Sequence, residues 1–507
     1  MDGQKYKIKM KTFKITIEKF QSLIYSIIIL SACNNNFEDY STQPSDRLSF
    51  SIDTVAFDTI LSTINTPYKV LMIYNRHSKP LLISAVSLEN GKNGFKINVD
   101  GKAGTDFHDV EIRANDSLYV FVSAKPMENA SAEPQYLTDR VIFVTNGVRQ
   151  EIVLSASSQD VILWKGGYFI TEDTVLSNQR PYLIYDSLVV EAGKTLQIEE
   201  GATFYMHNNA KMIIKGRVTA KGTLEKPILI RGDRFDSYAD IPYDHVPGQW
   251  EGIRFESDSY DNELEYVTIR NGQYGFDFQP SDPSRSKMKL NNVILTNFKG
   301  VLFNAVNCNI EAGNCEFSNA RYALLRLIGG RYRFLHCTIA NYYMSNQEAG
   351  WGNSNNETVQ ILATYDQLDG SEPVIYPLEQ ADFYNSIIWG QGSASDIRIE
   401  EDENVHAYFQ NCIIPNKDAT NDDPNDPNIE AQLVNCLIHI DPKFQITNSD
   451  NLFYDFRLDS ISPAKNVANV LISQEIPYDM KGNNRFLDQG PDLGAYEYKA
   501  ILAKNDN

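Results

Sequence analysis

The sequence predicts an all-β chain in which a two-sheet β-sandwich precedes a long solenoid of stacked coils. Three observations carry this prediction. Residues 49–160 read as short alternating strands between turn signals, a small unit recurs at regular intervals from Val267 onward, and no amphipathic helical pattern of useful length interrupts either stretch.

The first segment is not part of that fold. Lys5, Lys7, Lys9, Lys11, Lys14 and Lys19 precede an apolar run from Phe20 to Leu30, the charge-then-apolar order of an export signal. The run falls short of the roughly 20 apolar residues that a membrane-spanning helix needs. It ends at Leu30-Ser31-Ala32-Cys33, which resembles the bacterial lipobox. That resemblance implies a signal peptide over residues 1–32 and a diacylglycerol on Cys33, which becomes the first residue of the mature chain. It also implies a partner, the membrane held through the lipid, and a place in the cell envelope as an outer-membrane lipoprotein. Residues 33–48 are polar and read as a flexible tether. Within them Glu38-Asp39 resembles the acidic signal that sends Bacteroidetes lipoproteins to the cell exterior, which implies surface display.

Charge narrows the partners. The chain carries a net −20, and loss of the lysine-rich leader makes it more acidic. Such a surface repels nucleic-acid phosphates and anionic headgroups, so membrane attachment falls to the lipid. With Cys33 assigned, five cysteines remain: Cys308, Cys315, Cys337, Cys412 and Cys436. An odd number cannot all pair in an oxidising compartment.

From Ser49 to about Asp160 the strands are runs such as Val70–Asn75, Phe95–Val99, Asp116–Val122 and Val141–Val144, punctuated by Asn-Gly, Asp-Gly and Asn-Asp. Their order resembles the immunoglobulin-like modules at the front of bacterial surface proteins, and implies a spacer or an interaction surface.

A different grammar runs over residues 161–440. Strands shorten to three to five residues, as in Leu188–Val190, Leu196–Ile198 and Met212–Ile214, with a glycine or polar pair at each break. Strands so short bury little as hairpins, whereas coils stacked in parallel bury every inward side chain. This stretch, with Trp250-Glu251-Gly252-Ile253, resembles the opening of right-handed parallel β-helix proteins. The resemblance puts Trp250 at a coil corner and makes Gly252 the residue that frees the bend.

The repeat is countable from Val267. Units led by Val267, Val293, Cys315, Cys337, Ser386, Cys412 and Cys436 are separated by 26, 22, 22, 49, 26 and 24 residues. The double step hides either a further coil or a long insertion. The leading residues are small, and stacked coils superpose them as an internal ladder in which cysteine serves as core filler. Asn271, Asn297, Asn319 and Asn341, which close many units, suit a left-handed turn or an internal amide stack.

Residues 441–507 carry Asp441-Pro442, Tyr454–Leu458, Ser462-Pro463-Ala464, Arg485 and Asp492–Glu497. This series resembles the C-terminal closing segment of bacterial surface β-helix proteins, and implies a cap on the last coil.

Chemistry is harder to read. Asp233, Asp236, Asp240 and Asp244, with His245, form an acidic loop before Trp250 that matches no catalytic spacing. Asn421–Asn428 offers oxygen atoms that Ca²⁺ would accept, but without the glycine and terminal Glu of an EF-hand loop it reads as a turn. No other cofactor and no metal site is expected. Arg321, Arg326, Arg331 and Arg333 cluster, and alternation puts Arg331 and Arg333 on one face. These two, with Trp351 in the insertion spanning residues 341–381, are the candidate ligand-binding residues, with ion pairing to carboxylates as the plainer role for the arginines. Parallel β-helices include polysaccharide lyases, glycoside hydrolases and proteins without enzymatic activity. The reading is therefore an envelope protein that binds polysaccharide or an envelope protein through a β-helix flank; the alternative is a polysaccharide lyase or glycoside hydrolase.

Overall fold

The computed structural model describes residues 39–238, 241–343, 357–367, 370–391, 397–415, 433–447 and 452–499. The leader, Cys33, Asp240, Trp351 and residues 421–428 lie outside them. Two compact units result, one within residues 1–157 and one made mainly of residues 158–507.

The first unit is a sandwich of two five-stranded sheets. One has the order Ser49–Phe50, Lys69–Tyr74, Ser117–Ala124, Phe95–Val99, Lys102–Gly104; the other runs Thr54–Leu61, Val148–Gln159, Gln135–Thr145, Leu81–Leu88, Asp106–Ile112. Alternation decides what is buried: Leu71 and Ile73 in one strand face the interior with Val120 and Val122 of its neighbour. The sheets meet through Phe50 and Phe143, whose ring centroids are 5.1 Å apart.

The second unit is a parallel β-helix. Its first face is an 11-stranded parallel sheet from Ile162–Trp164 to Leu437–Ile438. A 17-stranded sheet supplies the second and third faces. The long strands Phe303–Gly313 and Leu325–Leu335 run through the bend between them and pair along both halves. Ile294 pairs with Glu316, Phe303 with Leu325 and Ile310 with Tyr332, so all three faces advance by 22 residues in this coil. Inward rings stack from coil to coil: Phe334, Phe383 and Phe409 lie 4.8 and 4.9 Å apart with planes 7° from parallel.

The ladder of leading residues forms rung by rung. The pairings of Thr268 with Ile294, Ile294 with Glu316, Glu316 with Thr338, Thr338 with Ile387, Ile387 with Ile413 and Ile413 with Leu437 superpose Val267, Val293, Cys315, Cys337, Ser386, Cys412 and Cys436. All five described thiols are free, and those of Cys315, Cys337, Cys412 and Cys436 each donate to the carbonyl two residues earlier. Because Thr338 pairs directly with Ile387, the 49-residue step is one coil and hides no second. Its extra length falls between Tyr343 and Glu357 in the sequence and in the antiparallel hairpin Thr364–Tyr365 with Val374–Ile375.

Left-handed backbone occurs at Asn271, Asn297 and Asn319 but not at Asn341, whose amide instead bonds the Ala320 carbonyl at 3.0 Å. A second column goes unnoticed in the sequence. The residue just before each rung, Tyr266, Asn292, Asn314, His336, Asn385, Asn411 or Asn435, has φ between 48° and 54°. Asparagine tolerates this conformation best after glycine. Trp250 is buried and its Nε1 donates to the Arg270 carbonyl at 2.9 Å, while a Cβ on Gly252 would meet the Tyr274 carbonyl oxygen at 2.5 Å.

The described part of the C-terminal segment lies along the side of the coils rather than over the last one. After the antiparallel pair Phe444–Ile446 and Asp455–Leu458 it runs back against the direction of coil growth. Asn411 donates to the Val467 carbonyl, Asn385 bonds Asn469 and Ser473, and Asn314 donates to the Tyr478 carbonyl at 2.7 Å. The left-handed column thus turns its amides onto the backbone of the returning strap, a contact that an end cap would not make.

Candidate functional site

The three faces of the solenoid differ in what covers their outer sides. On the first face, the excursion 233–249 and the C-terminal strap occupy the outer side. Asp244 pairs with Arg231 and Arg270, each at 2.9 Å, and the Tyr496 hydroxyl donates to Glu316 at 2.5 Å. The described carboxylates of the acidic loop before Trp250 are therefore bound up in local partners: Asp233 accepts from His207 at 2.7 Å and Asp236 pairs with Arg234. His245 lies 6.1 Å, ring to ring, from Phe453. Among the described residues no group of His, Cys, Asp and Glu is arranged to hold a metal ion.

The third face carries Glu263, Lys289, Glu311, Arg333 and Asp382 in one outward column, alternating in charge. With Glu475 and Ile476 of the strap, the first four of these line a groove of about 360 Å³ that also takes in Gly313; a Cβ there would meet Ile476 at 2.5 Å. Arg333 pairs with Glu475 at 2.8 Å and sits 5.4 Å from the Tyr384 ring; the Glu475 carboxylate holds its guanidinium above the ordinary range. Arg331, on the same face, pairs with Glu379 at 3.5 Å. The two arginines singled out by sequence thus share a face, and each has a carboxylate partner.

The second face is different. Its outward column begins apolar, with Phe169, Val189 and Ile213, and turns polar at Arg254. From there Arg254, Asp277, Asn304, Arg326, Gln360 and Arg398 stand in register on six successive coils. Neighbouring rungs are tied side to side: Asn304 Nδ2 donates to Asp277 Oδ1 at 2.9 Å and Arg326 Nε to Gln360 Oε1 at 2.9 Å. Gln360 in turn donates to Glu357 at 2.9 Å, and Arg254 pairs with Glu256 at 3.1 Å. Burial, followed by the nearby charge of Arg398, lowers the Arg326 guanidinium from its ordinary range. Tyr274 and Tyr322, in the turns that lead into this face, are 47% and 40% exposed and offer apolar ring surface beside the polar column.

Of these six side chains, only Arg326 belongs to the arginine cluster evident in the sequence. A signal was present all the same. Each lies in an apolar-polar-apolar triplet that comes once per coil: Ile253-Arg254-Phe255, Phe276-Asp277-Phe278, Phe303-Asn304-Ala305, Leu325-Arg326-Leu327, Val359-Gln360-Ile361 and Ile397-Arg398-Ile399. Strand alternation turns the middle residue of every triplet outward.

No family model matches the chain, and no curated protein does. Among solved structures it has slight similarity to a family 123 glycoside hydrolase from Clostridium perfringens that acts on glycolipid glycans, with 13% identity and a TM-score of 0.16 over 22% of this chain and 26% of that one. A second is the VesB protease of Vibrio cholerae, with 12% identity and a TM-score of 0.17 over 23% and 33%. The chain spans well under two thirds of either protein, and similarity this slight carries no argument about activity.

Proposed function

We propose that this chain is a lipid-anchored protein of the cell envelope, displayed at the cell surface, that binds glycan along the second face of its solenoid. One observation carries the reading: six consecutive coils present an unbroken outward column of guanidinium, carboxylate and amide groups, from Arg254 to Arg398. These planar groups offer paired hydrogen bonds to neighbouring sugar hydroxyls, and a column along the coil axis suits a linear polymer better than a compact ligand. Successive rungs are about 4.8 Å apart, the spacing of paired strands, so the column extends about 24 Å. The exposed rings of Tyr274 and Tyr322 supply surface for stacking against sugar faces.

The anchor rests on Leu30-Ser31-Ala32-Cys33, and surface display on Glu38-Asp39. Two experiments test the reading. Retention of the protein on a panel of immobilised polysaccharides should fall on substitution of Asn304 and Gln360 by Ala, with the same mixtures followed for new reducing ends. Product formation would make the chain a lyase or hydrolase instead. Detergent-phase partitioning should be lost in Cys33→Ser; a variant that still partitions would exclude the anchor.

A further inference from the structure

We infer that the far end of the polar column, Arg326 with Arg398, recognises oxyanion groups, so that the ligand is an acidic polysaccharide bearing carboxylates or sulfate esters. The inference rests on the glycan-binding reading of the second face and names the class of glycan.

The charges on that face are not equally satisfied. Arg254 has Glu256 at 3.1 Å. Asp277 accepts from Asn304 at 2.9 Å and from Gln279 at 2.8 Å. Glu357 accepts from Gln360 at 2.9 Å, and Glu400 accepts from the Ala363 and Thr364 backbone at 2.7 and 3.0 Å. Glu357 and Glu400 are thereby held by amide and backbone donors. Arg326 uses its Nε for Gln360 and, among the described residues, has no ion pair; Arg398 has neither ion pair nor hydrogen bond there. Among the described residues, Arg326 and Arg398 are the cations of this column that no carboxylate pairs, Glu357 reaching Arg326 only as a more distant charge, so their guanidinium groups are left for a ligand.

Geometry adds a second reason. Arg326 and Arg398 occupy the same outward column with Gln360 between them, two rungs or about 10 Å apart along the axis. That is the separation of equivalent groups one disaccharide apart in an extended polysaccharide. Arg326 is half-buried and pre-set by its bond to Gln360, which leaves its Nη atoms for a paired contact with a planar or tetrahedral oxyanion. Like charges held two rungs apart repel, and an anion bridging them relieves that repulsion. Overall acidity works the other way at long range, so binding should require close contact with this pair.

The test uses the full chain and four defined probes: polygalacturonate for carboxylate, dextran sulfate for sulfate ester, and unmodified dextran and xylan as neutral controls. Arg326→Gln and Arg398→Gln should each weaken binding of an acidic probe by roughly tenfold, and the double variant by more, with an unchanged melting temperature. Arg331→Gln, on the third face, should leave binding unchanged. Preference for polygalacturonate or for dextran sulfate supports the inference either way and identifies the oxyanion. Equal affinity for a neutral glycan, lost in Asn304→Ala but not in the arginine variants, overturns the oxyanion inference and leaves the flank reading standing. Acidic-probe binding that survives the double arginine variant also overturns it. Absence of binding to all four probes overturns both.

Discussion

Arg485 and Asn314 lie 171 residues apart in sequence and meet in the folded chain, where Arg485 Nη2 donates to Asn314 Oδ1 at 2.7 Å. The same asparagine donates from its Nδ2 to the Tyr478 carbonyl at 2.7 Å. One side chain from a left-handed corner therefore grips the C-terminal strap at two points. Arg485 is fully buried and pairs with Glu497.

Replacing Arg485 by Met should cost about 3–5 kcal/mol, because it leaves the buried Glu497 carboxylate unpaired. The loss should depend on pH. Burial already pushes Glu497 up to about 7, despite the opposing pull of Arg485. A carboxyl raised in the folded state contributes fully below its unfolded value, near 4.5, and progressively less as pH rises through about 7. Removing Arg485 raises it further, so guanidinium unfolding should show a larger penalty at pH 8 than at pH 5. Equal penalties at both would contradict the buried pairing.

His336 should have the opposite pH dependence. It is fully buried in the strap contact, with Nε2 at 2.8 Å from Ser473 Oγ and 3.1 Å from Asn385 Nδ2. Burial first, then the charge of Arg485, holds it well below the usual value of 6.5. Its contribution is present above that value and is lost as pH falls, because only the unfolded chain takes up the proton. Neighbouring rungs carry Asn314 and Asn385 at this position, so His336→Asn should fit and should flatten the fall in melting temperature between pH 7 and pH 5. An unchanged slope would place the acid sensitivity elsewhere.

The cysteine ladder predicts an order of thiol reactivity. Cys436 is partly exposed, and the neighbouring Cys412 thiol lowers its pKa, so it should react first with a thiol reagent. Cys308, pushed up to about 12 by burial, and fully buried Cys315, Cys337 and Cys412 should react only on unfolding. Mass mapping of the labelled sites checks this. Cys315→Val should cost under about 1.5 kcal/mol, since Val293 already fills the neighbouring rung.

These predictions draw unequally on what sequence reveals. Val267 to Cys436 were legible as a ladder because a period in the twenties superposes equivalent positions, and parallel pairing preserves that order. Arg331 and Arg333 were correctly given one face by alternation alone. The 49-residue step was ambiguous, since spacing cannot tell a silent coil from an excursion until Thr338 is seen to pair with Ile387. The strap was not legible. Its contacts, such as Tyr496 to Glu316, span 180 residues and have no period, and a terminal segment that runs back along the coils has the same composition as one that covers their end.

Close backbone approach makes a further prediction. A Cβ on Gly275 would lie 1.9 Å from the Leu302 carbonyl oxygen, so Gly275→Ala should displace a coil boundary and cost about 1–3 kcal/mol or more. Gly193 has φ of 72° with nothing near its absent Cβ, and Gly193→Ala should cost only about 1 kcal/mol from backbone strain. Comparable losses at both would mean that the Gly275 coil is not packed as described.

The most direct test of the account is the affinity of the full chain for polysaccharides, measured by titration calorimetry on the wild type and on Asn304→Ala with Gln360→Ala. The account predicts measurable binding to at least one linear polysaccharide, reduced tenfold or more in the double variant while the melting temperature stays within a few degrees. Binding of equal strength in the two proteins would contradict the assignment of glycan recognition to the second face.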